Sequence, residues 1–290
     1  MPEGDTLRRL ADKISTRFSG RTVVRSKTRD PRIATVDLAG RVLVDADAYG
    51  KHLFVRFDDG RTLHAHLMMT GSFEVGRASR EPEWKRRVEL WFDDGRLTGV
   101  AVPVLEMIAT ADEHLVTDPL GPDLCATDGP PDLGEVVARM VRDGAAPLAG
   151  AMLDQRNVAG FGNLYANDVP FITGVDPRQP VGSIEGLADL AAIGTALIRV
   201  NAALGPQNTT GRRLSTGEHW VHGMGRGRCP VCGTTLDYLD ADSSPWQRSI
   251  TWCPQCQPSV RSAARVDLDR ARRLIALHPA VREAYFPART

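Results

Sequence analysis

Lysine is scarce in this chain: four residues of 290, against 32 arginines. Cysteine is scarcer than a secreted scaffold needs, and its count of five is odd, which excludes a disulfide framework for a chain of this length. No run approaches the roughly 20 apolar residues of a membrane-spanning helix. The opening MPEGDTLRRL carries two acids among its first five residues, unlike a secretory leader. No internal repeat or low-complexity segment is visible. Net charge is also missing: 36 basic side chains balance 36 acidic ones. That balance excludes a uniformly basic surface, the usual footprint of a nucleic-acid binder. A cytoplasmic location is the expectation.

The zero total hides a distribution. Residues 1–90 carry +5, 91–145 carry −8, 146–204 carry −2 and 205–290 carry +5. Two basic ends therefore flank an acidic middle, and a fold that joins them would create one basic surface with an acidic far side. Apolar residues at 42% suffice for real cores, and the length suggests two domains.

Leu7, Leu10, Ala11, Ile14 and Phe18 fall on one helical face, with Gly20 able to end that helix. Two Asp-Asp-Gly turns, at 58–60 and 93–95, sit beside strand-like runs such as HLFVRF and RVELWF. They predict a sandwich or small barrel to about residue 115. The Pro-, Gly- and Asp-rich stretch 118–132 reads as a linker. Helical patterns follow, interrupted by NVAGFGN, with a long helix within 184–204 and a last amphipathic one over 266–277. The fold class expected is α+β. Its divisions are 1–117, an N-terminal β-sandwich with a flanking helix; 118–132, the linker; 133–224, a helical domain; 225–257, a cysteine-rich module; and 258–290, an extension.

Cys229, Cys232, Cys253 and Cys256 are spaced C-x2-C-x20-C-x2-C. Two such knuckles let a hairpin supply four thiolates to one tetrahedral zinc ion, structural because no coordination position stays open. A redox role for Trp252-Cys253-Pro254-Gln255-Cys256 is the competing reading, but the second knuckle favours metal. Cys125 stands apart and reads as a small buried hydrophobe.

The N-terminus admits two readings. Removal of Met1 would expose Pro2 as a secondary amine, able to attack an aldehydic sugar carbon, with Glu3 beside it as acid or base. Alternatively Glu3 and Asp5 simply cap a helix.

MPEGDT, GKHLF at 50–54, HLMMTG at 66–71, LDQRNVAGFGNLYAND at 153–168 and the four cysteines occur in that order. Together they resemble the formamidopyrimidine-DNA glycosylase/endonuclease VIII family of base-excision repair, over about residues 2–257. The PEGDT opening is similar to the endonuclease VIII branch. The resemblance implies a β-sandwich followed by a helix–two-turn–helix domain and a zinc finger. It implies a monomer that acts on damaged double-stranded DNA, associated with the nucleoid when bound, as a bifunctional glycosylase and abasic-site lyase for oxidised pyrimidines. Pro2 matches the family nucleophile and Glu3 its acid/base. Lys51 and Arg248 match phosphate contacts at the lesion, and Asn163 a third. Met69 matches the side chain that fills the gap left by a flipped nucleotide. Each has an ordinary counterpart: a strand-edge lysine, a solvated turn arginine, a helix N-cap, a core methionine. Of the alternating His64 and His66, the first reads as structural and the second stays open.

The chain departs from the family at three points: Asp168 replaces a glutamate, and His222 and Met224 replace a tyrosine and an arginine, with Arg226 or Arg228 available to restore the charge. After DDGRLTG it reads VAVPVLEM, without the Arg/Phe loop of the formamidopyrimidine branch. These departures motivate an alternative, a catalytically weak or silent damaged-DNA-binding protein on the same scaffold.

Overall fold

The computed structural model describes residues 2–212, 215–259, 263–275 and 278–285. They form two compact units, Met1–Pro119 and Leu120–Thr290.

The first unit begins with α1 (Gly4–Phe18), whose Leu7, Ala11, Ile14 and Phe18 are fully buried, as the 3.6-residue period requires. Gly20, at φ 75°, turns the chain out of the helix. Nine strands follow: β1 (Arg21–Thr22), β2 (Arg25–Thr28), β3 (Val42–Tyr49), β4 (His52–Phe57), β5 (Arg61–His66), β6 (Ser72–Val75), β7 (Arg86–Phe92), β8 (Gly95–Val100) and β9 (Val104–Ala109). They make two antiparallel sheets, in the orders β1-β3-β4-β5-β9 and β2-β7-β8-β6. The two Asp-Asp-Gly turns close the β4–β5 and β7–β8 hairpins, as their composition predicts. Leu43, Leu53, Val55 and Leu63 from one sheet meet Val88, Leu90 and Leu97 from the other in a single core that α1 completes. Phe18 stacks on Phe92 with ring centroids 4.0 Å apart. A short α2 (Glu113–Thr117) ends the unit.

The second unit is helical: α3 (Leu133–Met140), α4 (Leu148–Leu153), α5 (Asn163–Thr173) and α6 (Leu187–Leu204). Part of the stretch that reads as a linker is built into it, because Leu124 and Cys125 are buried in its core. Helix α6 is long and apolar enough to cross a membrane, but half of it is buried, and Leu190, Ile193 and Leu197 are core residues. Two small pairings follow: β10 (Ile184–Glu185) with β13 (Ala264–Arg265), and the hairpin β11 (Asp237–Leu239) with β12 (Ile250–Trp252). The last amphipathic segment forms α7 (Leu268–Ile275); Ala276 and Leu277 lie outside the described residues. A further helix, α8 (Pro279–Tyr285), was not expected from the sequence.

Candidate nucleic-acid interface and metal centre

In the first unit, Pro2 is half-buried immediately before α1, and Glu3 is fully buried as its N-cap residue. The Glu3 side chain makes no cap bond; its carbonyl accepts the Thr6 and Leu7 amides at 2.9 and 3.1 Å. A side-chain cap therefore does not explain burial of the Glu3 carboxyl. Asp5 instead accepts the neighbouring Thr6 amide.

Lys51 occupies the two-residue tip of the β3–β4 hairpin. Tyr49 pairs with His52, and Gly50 takes the positive-φ position at 54°. His52 in turn pairs with His66 across β4 and β5, which brings the Lys51 tip beside the segment that carries the methionines. After His66 the chain turns sharply. Met68 has φ 49°, and its amide donates to His66 Nδ1 at 3.1 Å. The Gly71 amide closes the loop on the Leu67 carbonyl at 2.8 Å, where a Cβ would meet that same oxygen. Met68 and Met69 are 51% and 64% exposed, so the core reading of this pair is wrong. The pair forms an exposed apolar tip.

Beneath the tip lies a polar strip. Strand alternation puts His52, His64, His66 and Glu106 on the sheet face opposite Leu53, Leu63 and Leu105. His64 is 3% exposed and lies between Glu106 Oε1, 2.7 Å from Nδ1, and His52 Nδ1, 2.9 Å from Nε2. Burial pushes His52 down to about 3, helped by the nearness of His66, His64 and Lys51. Burial likewise pushes His66 down to about 4, aided by Lys51 and His64.

In the second unit, LDQRNVAGFGN forms the double turn between α4 and α5. Gln155 braces it, donating to the Phe161 carbonyl at 2.8 Å and accepting the Gly160 amide at 3.1 Å. Gly160 has φ 111°. The N-cap is Gly162, so Asn163 is the first helical residue and not the cap. Asn163 Oδ1 accepts from Asn167 at 3.3 Å, which leaves its amide hydrogens as the end that can donate to an anion.

Asn167, unremarked in the sequence, joins two of the candidate residues. Its Nδ2 also donates to the Ser249 carbonyl at 3.2 Å, and its Oδ1 accepts the Thr251 amide at 2.7 Å. Helix α5 thereby fixes the strand that follows Arg248. On the other side, Trp246 packs with Ala149, Ile250 and Trp252. Gly150 makes that possible, since a Cβ there would lie 2.5 Å from Trp246 Nε1. Arg248 is half-buried and follows Gln247, which has φ 52° and whose carbonyl accepts its guanidinium at 2.7 Å.

The substitution at Asp168 has a definite structural role. Its carboxylate is fully buried and accepts the amides of Trp220, Val221 and His222 at 2.8–2.9 Å, together with the Thr209 hydroxyl. It organises the segment leading to the first knuckle. Burial pushes the His222 imidazole down, partly offset by Asp168. Arg226 and Arg228 are both exposed.

The four cysteine sulfurs lie within 4.8 Å of one another, and they form a group that can hold a metal ion. Cys229 and Cys256 Sγ are 3.8 Å apart, and Cys232 and Cys253 Sγ 3.5 Å. The fully buried Gln257 accepts the Cys253 amide at 2.9 Å and donates to the Val175 carbonyl at 2.8 Å, anchoring the second knuckle beside α5. Burial pushes the Cys253 and Cys256 thiols up.

Residues 1–100 match the family model described as formamidopyrimidine-DNA glycosylase N-terminal domain. Over 281 residues the chain is 37% identical to a probable endonuclease 8 2 of Streptomyces coelicolor, covering 94% of this chain and all of that protein. The chain belongs to the formamidopyrimidine-DNA glycosylase/endonuclease 8 family. It is also 33% identical to the DNA-(apurinic or apyrimidinic site) lyase Nei2 of Mycolicibacterium smegmatis, over 89% of this chain and 99% of the relative. Among solved structures it shares the fold of Lactococcus lactis Fpg in a complex with DNA containing N7-benzyl-Fapy-dG. There the TM-score is 0.73 at 20% identity, over 89% of this chain and all of the other. The Streptomyces coelicolor relative, and the Mycobacterium relatives 35% identical to the chain, carry the endonuclease 8 2 name, in agreement with the PEGDT opening.

Proposed function

We propose that the protein is a bifunctional DNA glycosylase and abasic-site lyase of base-excision repair, active on oxidised pyrimidines and abasic sites. The observation that carries this reading is the Pro2-Glu3 pair at the head of a buried helix, in a chain whose relatives include a protein named for abasic-site lyase activity. Once Met1 is removed, the Pro2 nitrogen attacks C1′ of the damaged nucleotide. The N–C1′ bond forms as the glycosidic bond breaks, and the base departs with a proton. The C1′–O4′ bond then opens as O4′ takes a proton, and the resulting ring-opened iminium draws electrons from C2′. Loss of a C2′ proton then expels the 3′ phosphate and cuts the strand. Glu3 serves as the acid/base for these transfers.

Lys51, Asn163 and Arg248 contact phosphates around the lesion, and Met69 fills the space left by the flipped nucleotide. A chain of zero net charge can bind DNA through its locally basic segments. The divisions 1–117, 133–224 and 225–257 are the sandwich, the helix–two-turn–helix domain and the zinc finger of a monomer working in the cytoplasm.

Cys229, Cys232, Cys253 and Cys256 hold one structural zinc ion. A tetrahedron with Zn–S bonds of about 2.3 Å has sulfurs about 3.8 Å apart, close to the spacings of 3.5 and 3.8 Å. Bound there, zinc supplies no chemistry to the reaction; it holds the hairpin that carries Arg248. Duplexes each bearing one lesion, incubated with purified protein, test the reading. Strand cutting at abasic sites and oxidised pyrimidines is expected, and intact strands across the panel would refute it.

A further inference from the structure

The polar strip beneath Lys51 contains more order than a set of buried histidines requires. Glu106, on β9, is a carboxylate and only accepts, so His64 Nδ1 must donate across the 2.7 Å contact. A neutral His64 then has a bare Nε2, which accepts from His52 Nδ1 at 2.9 Å. With His64 neutral, the direction runs from His52 to His64 to Glu106 and leaves His52 Nε2 without a proton. The bonds link three adjacent strands, and the His52 and His64 rings stack with centroids 5.1 Å apart.

We propose that Glu106, His64 and His52 form a one-way hydrogen-bond relay that makes His52 a positioning residue for Lys51, presenting the Nε2 lone pair to the lysine ammonium. This rests on the reading of Lys51 as a DNA phosphate contact. A lysine at a hairpin tip loses rotamer freedom when it grips a phosphate. An acceptor fixed beside it reduces that loss, and a second-line carboxylate that sets an imidazole tautomer is a recurrent way of fixing one. The low proton affinity of His52, caused first by burial, keeps that ring neutral. Tyr49 lies opposite His52 in register, and Arg32 feels the charge of Glu106.

Nitrogen-15 NMR of the imidazoles reads the tautomers directly in the full-length protein. The wild type should carry its protons on Nδ1 of both His64 and His52. Glu106→Gln can donate to His64 Nδ1, which reverses the relay and moves the His52 proton to Nε2; Glu106→Asp should retain the original direction. A His52 proton on Nε2 in the wild type would overturn the relay. Affinity for a duplex containing a tetrahydrofuran abasic analogue gives the second readout. Glu106→Gln should weaken it about tenfold, and by less than about twofold in a Lys51→Ala background, since coupled neighbours are non-additive. An equal loss in both backgrounds would overturn the positioning role. Wild-type protein that does not bind the duplex would refute the DNA reading itself, and the positioning role with it, while the tautomers report separately on the relay.

Discussion

Asp168 Oδ2 accepts the Trp220 amide at 2.8 Å, and the same carboxylate takes the next two amides along the chain. A fully buried carboxylate satisfied in this way is a structural anchor. Aspartate in place of the family glutamate therefore does not signal lost function, and the motive for a silent binding protein weakens. Asp168→Asn keeps one acceptor oxygen and puts an amide donor among N–H groups. It should cost about 2–4 kcal/mol, since breaking one side of a buried charged network leaves polar groups unpaired. Chemical denaturation checks this; an unchanged midpoint would contradict it.

Gly150→Ala should act on Arg248 through Trp246. The new Cβ would lie 2.5 Å from Trp246 Nε1, so the indole must move and the loop before Arg248 with it. Overpacking of this kind costs about 1–3 kcal/mol. Binding to abasic duplex should fall while the secondary structure seen by circular dichroism is retained. Unaltered binding would show that Trp246 does not set the loop.

The histidine strip makes stability depend on pH. The folded protein holds His52 at about 3 and His66 at about 4, whereas the unfolded chain titrates near ~6.5. The unfolded state therefore takes up protons first. This contribution is complete above about pH 6.5 and is lost as pH falls toward the folded values. Urea midpoints should decline across that window, and the double substitution His52→Gln/His66→Gln should flatten the decline. A wild-type midpoint constant from pH 7 to pH 4 would contradict the assignment.

One zinc ion per chain should be found by elemental analysis of protein purified without added metal. Chelation, or Cys253→Ser, should loosen residues 229–257 and weaken DNA binding, with the sandwich unit unaffected in hydrogen exchange. Metal-free protein that binds DNA fully would contradict a structural role for the ion.

Features local in sequence were legible from it. The cysteine spacing foretold the sulfur cluster, the Asp-Asp-Gly turns foretold two hairpins, and the period of Leu7, Ala11, Ile14 and Phe18 foretold α1. What escaped depends on chain segments meeting at a distance. Asn167 and Thr251 are 84 positions apart, and His64 and Glu106 are 42 apart. Neither pair carries a spacing signal, because strand register and helix docking bring them together. The exposed Met68-Met69 tip was similarly hidden. In sequence a methionine pair resembles core, and only the turn closed by Gly71 turns it outward.

The proposed catalysis by this protein depends on the Pro2 amine. Borohydride reduces an iminium to a stable amine, so purified protein mixed with an abasic duplex and borohydride should yield a covalent protein–DNA adduct. Mass spectrometry should place the link at Pro2 of chains lacking Met1, and Pro2→Gly should trap far more slowly. Chains that lack Met1, bind the duplex and yet give no adduct would contradict the central claim.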